Sequence, residues 1–209
     1  MGRKPDVACR QRILEQVEHQ LHLHGYHATS METIAQYCGM TKANLFHHFG
    51  SKEEMALAVL DWKLQEFRER RVEPLCAQGD PVAAVGAMFE RCGELFTGNG
   101  CKAGCFIGNV AVEMSDVNEK FRQRVGDFFK EWAGGMAGCL SRAQKAGMFG
   151  PGLDPKGTAE AILSLYEGAI LLARAERDAT VFARVGAVAK SILTQHKTAA
   201  SAESVNTEG

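Results

Sequence analysis

Polar side chains that can bind nucleic acid follow Met40 in the sequence. Five of them carry groups that donate hydrogen bonds to phosphate oxygens or base edges: Thr41, Lys42, Asn44, His47 and His48. Helical spacing places Leu45 and Phe49 on the opposite face of the same segment. A helix this short is not stable alone in water, so neighbouring elements must hold it. The pattern predicts a short, supported helix with an exposed nucleic-acid-binding face.

Turn and capping signals predict the elements that support this helix. A first helix over residues 6–24 ends at Gly25 because apolar residues recur at helical spacing up to that glycine. Capping signals predict three more helices. The capping box Thr29-Ser30-Met31-Glu32, with Thr29 as the capping hydroxyl, opens one that ends at Gly39. Thr41 caps one over 42–48, and the capping box Ser51-Lys52-Glu53-Glu54 opens a long one. Two short helices joined by a tight turn are typical of a helix-turn-helix.

The rest of the chain is also predicted to be helical. Five further segments are expected to form helices: 81–96, 106–114, 117–147, 155–174 and 178–195. The sequence thus predicts an all-α protein of about nine helices, with a DNA-binding domain at 1–50, an effector-binding and dimerisation domain at 51–196 and a disordered tail at 197–209. No apolar run is long enough to span a membrane and no export signal is recognised, so we expect a cytoplasmic protein.

Residues 29–54, TSMETIAQYCGMTKANLFHHFGSKEE, resemble the DNA-binding domain of the tetracycline-repressor (TetR) family, and the resemblance extends over about residues 8–60. It implies a transcriptional regulator, most often a repressor. It assigns phosphate contacts to Thr29, His48 and Lys52, and the recognition surface to Thr41, Lys42, Ala43, Phe46 and His47. Two positions depart from the family pattern, since Ala43 replaces a common glycine and Phe46 replaces a common tyrosine that can donate to phosphate.

A homodimer is expected because one short helix reads too few base pairs to select a single site. Six apolar residues of the last two predicted helices form the candidate dimer interface, called the seam below: Ile162, Tyr166, Ile170, Val185, Val188 and Ile192. Gly168 and Gly186 would allow close helix crossing there, as in the four-helix seam of the family. Packing within one chain is the alternative interpretation of the same pattern.

The middle helices are expected to enclose a pocket for an unknown small-molecule effector. Ten residues are candidate walls: Met88, Phe89, Phe96, Phe106, Val110, Met114, Phe121, Phe128, Phe129 and Trp132. Aromatic residues at helical spacing are more often ordinary core than a binding site. The set therefore indicates the region of the pocket and does not assign individual residues to it. Glu113 and Glu167 lie in apolar stretches, where each carboxylate either faces a cationic ligand or is paired with a neighbouring Arg.

Cys105 is a candidate redox sensor. The run Gly104-Cys105-Phe106-Ile107-Gly108-Asn109 resembles a Gly-Cys-aliphatic segment in one branch of the family, where some members sense oxidants or electrophiles with this cysteine. A thiol at a helix N-terminus beside Lys102 favours the thiolate, and Cys101 is a candidate resolving partner. The alternative is that Cys105 is a small buried hydrophobic residue.

Two other functional classes, an enzyme and an interaction scaffold, fit the sequence less well. A cysteine-dependent enzyme would need a general base such as histidine near Cys105. The only histidine outside the first 50 residues is His196, which lies beside the predicted tail. A protein-interaction scaffold would not need the polar recognition face. No metal or cofactor is expected, since His19, His22, His24 and His27 lack companions at ligand spacing. The sequence therefore favours a DNA-binding regulator that is not an enzyme.

Overall fold

The computed structural model describes residues 7–72 and 79–198. This part of the chain holds nine α-helices: α1 (Val7–His24), α2 (Met31–Cys38), α3 (Lys42–Phe49), α4 (Lys52–Phe67), α5 (Pro81–Gly98), α6 (Phe106–Met114), α7 (Glu119–Lys145), α8 (Pro155–Glu176) and α9 (Thr180–Thr194). A π-helical turn, Arg68–Val72, follows α4. The only β-pairing in the described ranges is one bridge between Phe149 and Lys197. The all-α prediction is confirmed.

The chain divides into two compact units. Unit 1 contains residues 1–66 and 105–127, and unit 2 contains residues 67–104 and 128–209. Unit 1 therefore combines α1 to α3 and most of α4 with α6 and the beginning of α7. The boundary at residue 50 between a DNA-binding domain and an effector-binding domain stays a prediction. The compact units do not test it, because the chain passes from one unit to the other after residues 66, 104 and 127.

Unit 1 corrects one capping prediction. The N-cap of α2 is Ser30, whose hydroxyl accepts a hydrogen bond from the Thr33 N–H at 3.0 Å. The adjacent Thr29 is only 1% exposed, and its hydroxyl donates to the Gly25 carbonyl at 2.6 Å. Neighbouring hydroxyl residues both match a capping pattern, and the path of the chain out of the preceding turn decides which one caps the helix.

Unit 2 packs α5 tightly against α9. A Cβ on Gly186 of α9 would lie 2.8 Å from the Cβ of Phe89 on α5, so no larger residue fits without a shift. Gly186 therefore serves the crossing of two helices within one chain. Gly168 on α8 has no atom within 4 Å of an added Cβ.

The loop before α8 holds the chain that follows α9. The Gly150 N–H donates to the His196 carbonyl at 2.8 Å, and the Thr198 N–H donates to the Met148 carbonyl at 3.1 Å. Lys197 and Thr198, the first two residues of the predicted tail, are thus hydrogen-bonded or ion-paired within unit 2. Residues 199–209 lie outside the described residues.

Candidate nucleic-acid interface

The turn between α2 and α3 is short and fully capped. Gly39 adopts the left-handed conformation, with φ of 62°, and the Met40 N–H returns to the Ala35 carbonyl at 2.9 Å. Glycine suits this position because it has no Cβ to strain. Thr41 then caps α3, as predicted, by accepting a hydrogen bond from the Asn44 N–H at 3.2 Å. The two caps fix the geometry of a helix-turn-helix.

Helix α3 buries one face and exposes the other. Leu45 is 0% exposed and Phe49 is 7% exposed, so the prediction that both residues lie on the inward face of α3 is confirmed. Six predicted interface residues share the exposed side: Thr41, Lys42, Ala43, Asn44, Phe46 and His47. His48 is half-buried, and its Nδ1 atom is buried with no hydrogen-bond partner. The exposed residues carry the hydrogen-bond donors that a recognition helix needs in a major groove.

Thr29 and Lys52, two predicted phosphate contacts, are engaged inside unit 1. The Thr29 hydroxyl is buried, so in this conformation it does not reach a phosphate. The Lys52 ammonium donates to the Tyr26 carbonyl at 2.6 Å and lies 4.2 Å from the centroid of the Tyr26 ring. Burial lowers the pKa of Lys52, while the charge of Glu113 opposes this shift. Both phosphate contacts remain predictions, and the Thr29 hydroxyl would have to leave its buried position to make one.

Lys42 is ion-paired with Glu32, which lies in the first turn of α2. This hydrogen bond from Lys42 is the main reason that the pKa of Glu32 is lowered. Both side chains are about half exposed, so the pair contributes little to stability. Any DNA phosphate that binds Lys42 must compete with the Glu32 carboxylate.

Two of the histidines near the end of α1, His19 and His22, contact neighbouring side chains. His19 stacks on Tyr37 at 5.8 Å between ring centroids, and His22 pairs with Glu18 at 3.3 Å. Within the described ranges, no three His, Cys, Asp or Glu residues are grouped as metal ligands. No helix in these ranges has the length and apolar character needed to cross a bilayer.

A short helix with an exposed polar face, joined by a tight turn to the helix before it, is the arrangement of a helix-turn-helix DNA-binding protein. Comparison with known families agrees: the family described as "Bacterial regulatory proteins, tetR family" matches residues 13–59, and "Tetracyclin repressor-like, C-terminal domain" matches residues 81–189. The chain belongs to the TetR family and is a DNA-binding transcriptional regulator. The enzyme alternative is excluded, because the family consists of regulators.

Relatives and solved structures match along most of the chain. The transcriptional repressor DhaR of Mycobacterium sp. (strain GP1) is 26% identical over 179 residues, which cover 85% of this chain and 87% of DhaR. A TetR transcriptional regulator from Chloroflexus aurantiacus has a TM-score of 0.80 and 27% identity, covering 91% of this chain and 96% of that one. The reduced form of Escherichia coli NemR has a TM-score of 0.76 and 18% identity, covering 89% and 98%, and shares the fold.

The candidate effector residues divide between the two units. In unit 1, four of them line a cavity of about 20 Å³ beside Glu113: Phe106, Val110, Met114 and Phe121. This volume holds about one water molecule, so an effector would require the cavity to open. In unit 2, Met88, Phe89, Phe96, Phe128 and Trp132 are buried and Phe129 is half-buried. The effector assignment stays a prediction.

The candidate seam residues also divide into two groups. On α8, Ile162, Tyr166 and Ile170 are 0%, 1% and 6% exposed, so they pack inside their own chain and offer no surface to a partner. On α9, Val188 is 54% exposed. Val185 and Ile192 are half-buried. Helical spacing alone did not distinguish the inward stripe of α8 from its outward stripe.

Cys105 is the N-cap of α6. It is 7% exposed, and its Sγ atom accepts a hydrogen bond from the Gly108 N–H at 3.4 Å. Cys101 is 3% exposed, and its carbonyl accepts a hydrogen bond from Arg177 at 2.7 Å. An amide that donates to sulfur at a helix N-terminus stabilises a thiolate, whereas burial limits access to it.

Proposed function

We propose that this regulator binds a palindromic operator as a homodimer and represses transcription, with α3 of each copy in a major groove. The observation that carries the proposal is the exposed polar face of α3 opposite the buried Leu45 and Phe49. DhaR and NemR, two similar proteins, are described as repressors. An effector bound by the C-terminal part of the chain, or modification of Cys105, would release the operator by changing the spacing of the two recognition helices.

The proposed dimer surface is the outward stripe of α8 together with α9. Apolar or small residues that are exposed or half-buried recur on α8 at helical spacing: Ala161, Leu165, Gly168, Leu171, Leu172 and Ala175. Leu171 and Leu172 are 67% and 47% exposed. Val185, Val188 and Ile192 continue the apolar surface on α9, and the open space at Gly168 allows close approach of a second copy. Two such pairs of helices would form a four-helix interface.

Lys42→Ala tests the recognition face. We expect operator affinity to fall by on the order of tenfold, because a charge-assisted contact to phosphate is lost. The slope of log affinity against log salt should become shallower by about one counterion. Fluorescence anisotropy at several salt concentrations measures both quantities.

Glu32→Gln is the matched control for Lys42→Ala, because it removes the negative charge paired with Lys42 and so weakens the competition for its ammonium group. This variant should bind DNA at least as tightly as the wild type. Unchanged affinity and salt slope in Lys42→Ala would contradict the assignment of Lys42 to the interface.

Cys105→Ser tests the redox proposal. Serine is a good N-cap, so the start of α6 should be retained while thiol chemistry is lost. We expect wild-type operator affinity under reducing conditions and no release after treatment with hydrogen peroxide or N-ethylmaleimide. Cys9→Ser, which changes a half-buried thiol elsewhere in unit 1, is the control and should respond as the wild type does. Oxidant-driven release that persists in Cys105→Ser would contradict the thiol switch.

A further inference from the structure

The turn that leads from α1 into α2 is held by a carboxylate from a distant helix. Glu113, near the end of α6, accepts hydrogen bonds from the backbone N–H groups of Tyr26 and His27, each at 2.8 Å. The two bonds use different oxygens of the carboxylate. Bonds from backbone N–H groups to an ionised carboxylate are stronger than neutral ones. Glu113 therefore pairs with backbone donors, and neither a cationic ligand nor an Arg is needed to explain it.

The opposite side of the same turn is held by a cation. The Lys52 ammonium donates to the Tyr26 carbonyl, as described above, so the peptide groups on both sides of Tyr26 are fixed by charged side chains. The Tyr26 ring also contacts Phe121 of α7, with 5.7 Å between centroids. The turn is thus attached to α4, α6 and α7, none of which belongs to the helix-turn-helix itself.

The close approach of Glu113 requires a glycine. Gly25 has a φ of 84°, and a Cβ at this position would lie 2.8 Å and 3.0 Å from the two Glu113 oxygens. A side chain at position 25 would therefore be strained by the backbone and would displace the carboxylate. Gly25 ends α1 and also leaves room for the Glu113 contact.

We propose that Glu113 is a positioning residue for operator recognition, whose carboxylate fixes the α1–α2 turn and thereby the placement of α3. This inference rests on the proposed function, because it concerns preference for an operator. Reading base edges requires side chains placed to within a fraction of an ångström, whereas attraction to phosphates tolerates small displacements. A loosened turn should therefore reduce specific binding much more than non-specific binding.

Glu113→Gln tests the proposal with a side chain of the same shape. The amide presents one acceptor and one donor group, so it cannot accept from both backbone N–H groups through different atoms as the carboxylate does. We expect operator affinity to fall about tenfold or more, while affinity for random-sequence DNA stays within about twofold of the wild type. The operator would be selected from a random DNA pool by the wild-type protein, and both affinities would be measured by anisotropy.

Glu119→Gln is the matched control. Glu119 lies in the first turn of α7, is exposed and pairs with Arg122 on the same helix, so this substitution makes the same charge change without touching the turn. Thermal unfolding and circular dichroism of both variants define a temperature at which each is folded. Amide hydrogen exchange at Tyr26 and His27 should accelerate in Glu113→Gln alone.

Each outcome decides between positioning and plain stability. Selective loss of operator binding in Glu113→Gln supports the proposal. Retained operator affinity overturns it, and so does a parallel loss of operator and random-sequence binding, because that indicates a structural role only. A wild-type protein that selects no sequence would contradict the proposed function itself, and the inference with it.

Discussion

Leu45→Ala is expected to remove operator binding by destabilising the recognition helix. Leu45 is 0% exposed in a helix of eight residues, and Phe49 is the other buried residue that anchors it. Truncating a buried leucine to alanine costs about 2–5 kcal/mol, which is a large share of the total stability of a small folded unit. Urea denaturation followed by circular dichroism measures the loss, and anisotropy with operator DNA measures its effect on binding.

Leu23→Ala is the control for Leu45→Ala. Leu23 lies on α1 in the same unit and is 43% exposed, so its truncation should change the free energy of unfolding by about 0.5 kcal/mol or less. If the two variants were equally stable and both bound DNA, α3 would not depend on its buried face. The buried residues of α3 would then not be what presents its polar face to DNA.

Val188→Glu is expected to convert the proposed dimer into monomers and to reduce operator affinity by about 100-fold or more. The substitution places a charge in an apolar surface that must lose its water when a second copy binds, and an unpaired charge opposes this strongly. A monomer also loses the gain in affinity that comes from linking two binding helices. Analytical ultracentrifugation measures the mass, and anisotropy measures binding to full and half operators.

Val112→Glu is the control for Val188→Glu. Val112 is 88% exposed on α6 of unit 1 and is not part of the proposed surface, so this variant should remain dimeric. A Val188→Glu protein that remains dimeric and binds the operator normally would contradict the placement of the interface on α8 and α9. A Val112→Glu protein that dissociates would move the interface to unit 1.

The sequence predicted the features that depend on neighbouring residues. Thr41 and Gly39 directly adjoin the helices that they begin and end, so the local order of residues was sufficient to predict both caps. The prediction that Thr29 caps α2 was wrong, because the adjacent Ser30 also carries a hydroxyl and it is Ser30 that caps the helix. The limits of α6 were predicted correctly, since Cys105 and the glycine before it mark its start.

The sequence did not predict contacts between residues far apart in the chain. Glu113 was recognised as an unusual carboxylate, but nothing in the local pattern indicated that its partners were two backbone amides 86 and 87 residues earlier. On α8, apolar residues occupy both the inward and the outward stripe, so periodicity alone could not assign Tyr166 to the core and Leu172 to the surface. Both questions depend on which helices pack together.

The contact between Glu113 and the α1–α2 turn limits how this regulator can be recombined with its relatives. A chimaera that takes only the first sixty or so residues from one parent would join a foreign turn to an α6 that was not matched to it. The compact unit that reads DNA is discontinuous in sequence and also includes residues 105–127. Grafts meant to exchange operator preference should therefore transplant both segments together.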